Sequence, residues 1–499
     1  MMKATLCTTW MNGQTLTQRQ SAVPLNHTQP GDRPVENDVV NLYPDFTYQT
    51  ITGFGGAMTE AAAWSLAQLE PARREQALRE YFGPEGSGYT LIRTHIDSSD
   101  FSLGMYQAVP DVLADPDLAG FSLDRDRKYI IPAIREAMKL SPSPLSVLLS
   151  PWSPPAEWKT EPAMLRGVKS MEDFKKLFPP ELASAEAAET HPVMAAMRRA
   201  LEKAITTGMG IRTCGGHLKP EFYPSWAAYL VRYVQGYLAE GIPVRFLSIQ
   251  NEAQAATPWD SCEWTAEEEK TFLRDHLYPA MKEAGLSEKV GIYFWDHNRE
   301  NLVDRALAVL DEETLPMVQG AAFHWYSGDH YEAPALVHER FPGLKLMFSE
   351  GCCEYIPSGD SRELSHALKY AHDILSCLNA GMDAWFDWNL FLDEKGGPNH
   401  VGNFCSAPIM LDGQGGYEKR AAYAYIRQIS EAVRPGAVRI GFSRYTDQLD
   451  VAAFRNPDGS FVCILLNRSD EEKKVNLRLS GDVGAFSVPA RAISVLNLE

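Results

Sequence analysis

The feature that most constrains this chain is a rhythm that recurs along residues 51–388: a short apolar run, a helical stretch, then another apolar run. Between Ser225 and Gly241, apolar residues fall at Trp226, Tyr229, Leu230, Tyr233, Val234, Tyr237 and Leu238, which is one face of a helix. Gly241 and Pro243 stop that helix. The run Val244–Ile249 then reads as a buried strand, and it ends in Gln250-Asn251-Glu252, polar groups where a strand surfaces. The unit repeats. Thr265 with Glu268 makes a capping box before a helix that runs towards Gly285. Strands are expected at Val290–Trp295, Ala321–Trp325, Leu344–Ser349 and Met382–Trp388, with helices near Leu302–Leu310, Ala335–Phe341 and Arg362–Asn379 between them. Upstream, Ile51–Phe54, Thr90–Ile96 and Leu145–Leu149 read as strands, and Lys128–Leu140 as a helix. Eight strands interleaved with helices give an α/β fold, the (β/α)8 TIM barrel. A doubly wound nucleotide fold would need a glycine-rich phosphate turn near its start. The one candidate, Gly53-Phe54-Gly55-Gly56, carries Met58 where the third glycine belongs.

Past Val433 the pattern changes. Phe461–Leu466, Lys474–Leu479 and Ala492–Leu498 alternate with period two, and Asn456-Pro457-Asp458-Gly459 has hairpin-turn composition. A tail of this length is short for a sandwich, so residues 434–499 are expected to recruit strands from residues 1–50 into one β-sandwich beside the barrel of 51–433. Residues 159–215 interrupt the barrel rhythm with helical composition, notably Ala183–Thr207. They follow the third strand, so they are expected on the catalytic face, as a surface helical insertion rather than a lid.

Charge narrows the partners. Lys plus Arg number 47 against 65 Asp plus Glu, a net charge of −18. Such a surface repels phosphate backbones and anionic lipid, which argues against nucleic acid as a partner. No run of about 18 apolar residues offers a membrane span. The first residues lack the apolar core of a secretory signal, and the eight cysteines form no C-x-x-C pair, so reduced thiols in the cytoplasm are the expectation.

In a barrel the reacting groups sit at the C-terminal strand ends. Those ends supply Arg93, Asp97, Asp100, Trp152, Asn251, Glu252, Asp296, His324, Tyr326, Glu350, Asp387, Trp388 and Asn389. Glu252 follows the fourth strand and Glu350 ends the seventh, so their carboxyls can face each other across a bound molecule. Two carboxylates flanking one bond are what glycoside hydrolysis needs. No H-E-x-x-H or Cys/His ligand spacing appears among His297, His324, His330 and Cys352-Cys353, and no G-x-S-x-G elbow is present, so neither a metal nor a serine nucleophile is expected. A non-catalytic sugar-binding protein is the alternative from another class; it would need one of the two glutamates or Asn251 to be lost.

Seven segments carry a resemblance: ITGFGGAMTEAAAWSL (51–66), YTLIRTHIDSSDFS (89–102), LSPWSPPAEWKT (149–160), LSIQNEA (247–253), AAFHWYSG (321–328), FSEGCCEY (348–355) and WNLFLDEKGGPNHVGNFCSAPIM (388–410). The chain resembles glycoside hydrolase family 30, the glucosylceramidase-like retaining glycosidases. The resemblance implies Glu252 as acid/base, Glu350 as nucleophile and Asn251 as the partner of the sugar 2-hydroxyl. It implies Asp100, Trp152, Tyr326, Trp388 and Asn403 as substrate contacts, and Arg93 and His324, with Tyr326, as the groups that hold the nucleophile charged and aimed. It implies no cofactor, and a carbohydrate or glycoconjugate as substrate. A pocket closed behind one sugar by Asp100 and Trp152 would make the enzyme exo-acting, with β-D-glucoside as the expected glycone and β-1,6-glucan or β-xyloside as the alternatives. The mechanism leads one to expect a depressed pKa at Glu350 and a raised one at Glu252. Two departures stand out. Ala253 replaces the usual proline after the acid/base, which is expected to loosen that loop. Cys405-Ser406 stands where relatives often carry Asp.

Overall fold

Eight parallel strands close into a barrel in a computed structural model that describes residues 3–27, 35–160, 213–257 and 259–499. They are β1 (Gly53–Ala57), β2 (Leu91–Ile96), β3 (Ser146–Pro151), β4 (Val244–Ser248), β5 (Gly291–Asn298), β6 (Gly320–His324), β7 (Lys345–Glu350) and β8 (Ala384–Asp387). Each pairs with its sequence neighbours, and β8 closes on β1. Helices Ile130–Leu140, Tyr223–Ala239, Leu302–Val309, Glu332–Arg340 and Glu363–Asn379 fall where the apolar spacing places them. The first strand begins two residues later than expected. Ile51 donates its N–H to Ala437 and accepts from Gly436, so it belongs to the junction with the second domain.

Side chains Leu91, Leu148, Phe246, Tyr293, Ala322, Met347, Ala384 and Phe386 fill the barrel as a buried apolar layer. β1 sends no large side chain into it, because its backbone runs too close to β2. A Cβ on Gly55 would lie 1.9 Å from the Leu91 carbonyl oxygen. Gly55→Ala should therefore yield no soluble folded chain. Recovery of a soluble variant with the parent's melting curve would contradict this packing.

The second domain is a ten-stranded sheet drawn from both chain ends. Its order is Thr15–Ala22, Ala4–Asn12, Ile493–Leu498, Phe461–Asn467, Leu449–Arg455, Val438–Ser443, Val39–Thr50, Lys473–Leu479, Asp482–Val488 and Leu25–His27. Three of these, Val438–Ser443, Leu449–Arg455 and Asp482–Val488, escape the sequence reading. Leu449–Arg455 is buried on both faces, so no polar alternation marks it: Val451 and Ala453 face the domain's own core, while Ala452 and Phe454 join the barrel's. The helical composition at Ala183–Thr207 lies outside the described residues. The ends of that insertion are held together. Lys159 Nζ donates to the carbonyls of Thr213 (2.9 Å), Gly215 (2.8 Å) and Ser261 (2.7 Å).

The tyrosine stripe of helix Tyr223–Ala239 anchors the loops after β2. Tyr229 donates to Asp97 at 2.8 Å and Tyr237 to Asp126 at 2.7 Å. Burial outweighs these bonds and raises Asp97 to about 8 and Asp126 to about 7. A raised carboxyl keeps a proton in the folded chain that the unfolded chain has already lost, so stability falls as pH rises towards the folded pKa. Buried His95, lowered to about 4, acts in the opposite direction, but only below its unfolded value near 6.5. The melting temperature should therefore fall from about pH 6.5 to about pH 8; Asp97→Asn should flatten that slope throughout, and Asp126→Asn only below about pH 7. A melting temperature that rises over the window would contradict the assignment.

Candidate active site

Period-two alternation turns the apolar layer into a polar one. Two residues beyond Leu91, Leu148, Phe246, Ala322 and Met347 come Arg93, Ser150, Ser248, His324 and Ser349, all buried. On β5 the count shifts by one. Trp295 (φ 74°) and Asp296 (φ 47°) take left-handed backbone, which non-glycine residues adopt at a cost, and Asp296 is delivered into the middle of the layer. It accepts from Arg93 (3.0 Å), Ser150 (3.1 Å) and Ser349 (2.5 Å), and contacts His324 Nε2 at 3.0 Å. These charges hold Asp296 well below the usual carboxylate range despite its burial.

The two glutamates stand above this layer. Glu350 ends β7, and both its oxygens are held: Arg93 donates to Oε2 at 2.5 Å and the Tyr326 hydroxyl to Oε1 at 3.1 Å. Arg93 also donates to Asn251 Oδ1 at 2.7 Å. Its guanidinium carbon lies 4.9 Å from the Trp152 ring centroid and 5.4 Å from that of Trp388. Glu252 sits in a left-handed turn after β4 (φ 50°), its N–H donating to the Asp296 carbonyl at 2.7 Å. Oε1 of Glu252 lies 3.4 Å from His324 Nδ1 and 3.7 Å from His297 Nδ1. Register shifts on either side of Phe323 turn His324 towards both glutamates.

The electrostatics of the pair run opposite to the sequence expectation. Burial raises Glu350, and the charge of Glu252 adds to this, against the pull of His324 and Arg93. Burial acts on Glu252 as well, but His297 and His324 outweigh it and hold Glu252 low. His324 is itself raised to about 9: burial opposes this, but Glu350, Asp296 and Glu252 surround it with negative charge. The reason for the inversion is His297, which the sequence reading placed among possible metal ligands but not beside Glu252.

The remaining candidates line one wall. Asn403 donates to Asp100 Oδ2 at 3.0 Å. Burial and the two glutamates raise Asp100 to about 8. Trp152 and Trp388 stack with ring centroids 5.2 Å apart, packed against Phe101 and Cys405. Arg93, Asp100, Trp152, Asn251, Glu252, His324, Tyr326, Glu350, Trp388 and Asn403 thus gather at one barrel end, whereas Asp97 is held by Tyr229 away from this cluster. Ser150 and Ser349 join them unannounced, and Asp296 and His297, named from the sequence without a role in this site, enter it. Of these, only Asp296 could have been promoted, as a buried strand-end acid beside a cation. The loop after Glu252 is not loose as expected: Ala253 is buried and its carbonyl accepts from Trp264 N–H at 2.7 Å. Cys405-Ser406 pairs as a short strand with Cys353-Glu354, which follows β7 in the chain.

A parallel eight-strand barrel that presents two glutamates from β4 and β7 above a cationic layer and an indole wall is the framework of a barrel glycoside hydrolase. Residues 51–175 and 195–431 match the Glycosyl hydrolase family 30 TIM-barrel domain, and residues 436–494 match the Glycosyl hydrolase family 30 beta sandwich domain. The chain belongs to glycosyl hydrolase family 30 and is a retaining glycoside hydrolase. It is 30% identical to the lysosomal acid glucosylceramidase of Mus musculus over 449 residues, covering 87% of this chain and 78% of that protein. The crystal structure of SrfJ from Salmonella typhimurium superposes with a TM-score of 0.83 at 32% identity, over 100% of this chain and 99% of that one. The endo-beta1,6-glucanase BT3312 superposes with a TM-score of 0.78 at 26% identity, over 99% and 98%.

Proposed function

We propose that the enzyme is an exo-acting β-glucosidase of the glucosylceramidase type, with Glu350 as nucleophile and Glu252 as acid/base. The observation that carries the assignment is the unequal grip on the two carboxyls. Glu350 is fixed at both oxygens by a cation and a hydroxyl, the hold a nucleophile needs to stay aimed. Glu252 meets its partners through Oε1, which faces the imidazoles of His297 and His324, and its other oxygen is left to a departing oxygen.

Two carboxyls that share a site repel when both are charged, so a proton on one favours charge on the other. Arg93 and Tyr326 favour charge on Glu350, whereas His297 and His324 favour it on Glu252. A glycosidic oxygen that accepts from Glu252 selects the form with the proton on Glu252, which is the form that reacts. Glu350 then attacks the anomeric carbon while Glu252 protonates the departing oxygen. In the ester that forms, Glu350 has lost its charge. Glu252, relieved of that repulsion, takes a proton from water, which displaces the ester with net retention. Asn251, positioned by Arg93, is assigned to the sugar 2-hydroxyl.

Asp100 with Asn403, and the stacked Trp152 and Trp388, support a wall behind a single sugar, hence exo action. The likeness to an endo-β-1,6-glucanase favours a second reading, cleavage within β-1,6-glucan. Nitrophenyl β-D-glucoside, xyloside, fucoside and galactoside, assayed beside β-1,6-glucan, separate the two. The glucoside should lead in kcat/KM by about 10-fold or more, with free glucose as product. Release of oligosaccharides from the glucan without monosaccharide would overturn the exo reading. The eight free thiols support a reducing, cytoplasmic setting, which recovery from a secreted fraction would contradict.

A further inference from the structure

Glu252, His297 and His324 place one ligating atom each within 4.8 Å of one another. A tetrahedral Zn2+ with bonds of about 2.0–2.1 Å sets its ligand atoms about 3.3–3.4 Å apart. Glu252 Oε1 is already 3.4 Å from His324 Nδ1 and 3.7 Å from His297 Nδ1, close to two tetrahedral edges, and the third is bounded by 4.8 Å, so the site closes by drawing the two imidazoles together. Two further observations point to a ligand. His297 is buried, and its Nδ1, shielded from solvent, makes no hydrogen bond and faces Glu252 Oε1 at 3.7 Å. His324 is held from behind by Asp296 at 3.0 Å, the carboxylate–imidazole support that orients metal-binding histidines. His330 and the Cys352-Cys353 pair stand outside this group.

We infer that Glu252, His297 and His324 form a reversible Zn2+ site that shuts off the carboxylate pair when it is filled. Binding is a ligand exchange without redox change. The two imidazole Nδ1 lone pairs and Glu252 Oε1 bond to the metal, and any proton on either nitrogen leaves to solvent. Water keeps the fourth position. Two nitrogens and one oxygen suit Zn2+ or Cu2+ and not Mg2+, which prefers an all-oxygen octahedron. The binding claim stands on the geometry alone. The inhibition claim rests on the role proposed for Glu252, whose metal-bound carboxylate could no longer deliver a proton.

Calorimetric titration of Zn2+ into the chelator-treated full chain tests the site, beside His297→Gln and Glu252→Gln variants that keep the parent's circular dichroism. One Zn2+ should bind the parent, and each variant should bind about 10-fold more weakly or worse. Parent activity on an aryl β-glucoside should fall with Zn2+ occupancy, return with EDTA, and ignore Mg2+. His297→Asn replaces His297→Gln if that variant misfolds. No binding to the parent, or unchanged affinity in both variants, would overturn the site even if Glu252→Gln is inactive. Stoichiometric binding through these residues with activity undiminished would instead overturn the role of Glu252 and leave the site standing.

Discussion

Glu350→Gln should lower kcat on aryl β-glucosides by about 10⁴-fold or more, the scale on which removal of a nucleophile acts, while the chain folds as the parent does. The amide oxygen can still accept from Arg93, and its NH2 can donate to the Tyr326 hydroxyl, which turns from donor to acceptor, so the buried guanidinium keeps a partner and stability changes little. What disappears is the electron pair that attacks carbon. Glu252→Gln should behave differently. Substrates with acidic leaving groups need no protonation, so glycosylation of Glu350 survives and the second step becomes limiting. Azide, which needs no general base, should restore turnover in Glu252→Gln and give the β-glycosyl azide. A Glu350→Gln enzyme with near-parental kcat would remove Glu350 from the reaction.

Arg93→Ala should cost about 3–5 kcal/mol of stability, the range found when one member of a buried ion pair is removed. Arg93 is fully buried and touches Asp296, Glu350, Asn251 and Ser150 at once. Its loss leaves two carboxylates facing each other without the cation between them, and leaves Asn251 unaimed. Activity should fall with stability. Arg93→Lys should recover part of the stability, because it keeps the charge, but less of kcat, because one ammonium cannot hold Glu350 and Asn251 in the geometry of a guanidinium fork. Urea denaturation and steady-state kinetics on the two variants check both halves. Parent-like stability of Arg93→Ala would show that the ion-pair network contributes little.

The barrel was legible because its strands are buried, short and separated by amphipathic helices, and because polar residues cluster where each strand ends. The glutamate pair followed from strand order alone. Legibility failed where the backbone departs from regular spacing. β1 is a glycine strand with little apolar signature, so the apolar pattern starts it at Ile51, which belongs to the domain junction. Leu449–Arg455 is covered on both faces and shows no alternation. Most consequential is β5, where left-handed Trp295 and Asp296 shift the side-chain register. That shift brings Asp296 under Glu350 and His297 beside Glu252, and it reverses the charge balance expected of the two glutamates. No residue count along the sequence reveals a change of φ.

The measurement closest to the central claim is trapping of the glycosyl-enzyme. A 2-deoxy-2-fluoro-β-D-glucoside with a dinitrophenolate leaving group slows the second step more than the first, so the ester accumulates. Peptide mass spectrometry of the inactivated enzyme should find the fluoroglucosyl group on Glu350, and the activity lost should match the fraction labelled. A label on any other side chain, or inactivation without a label, would contradict the assignment of Glu350 as the nucleophile.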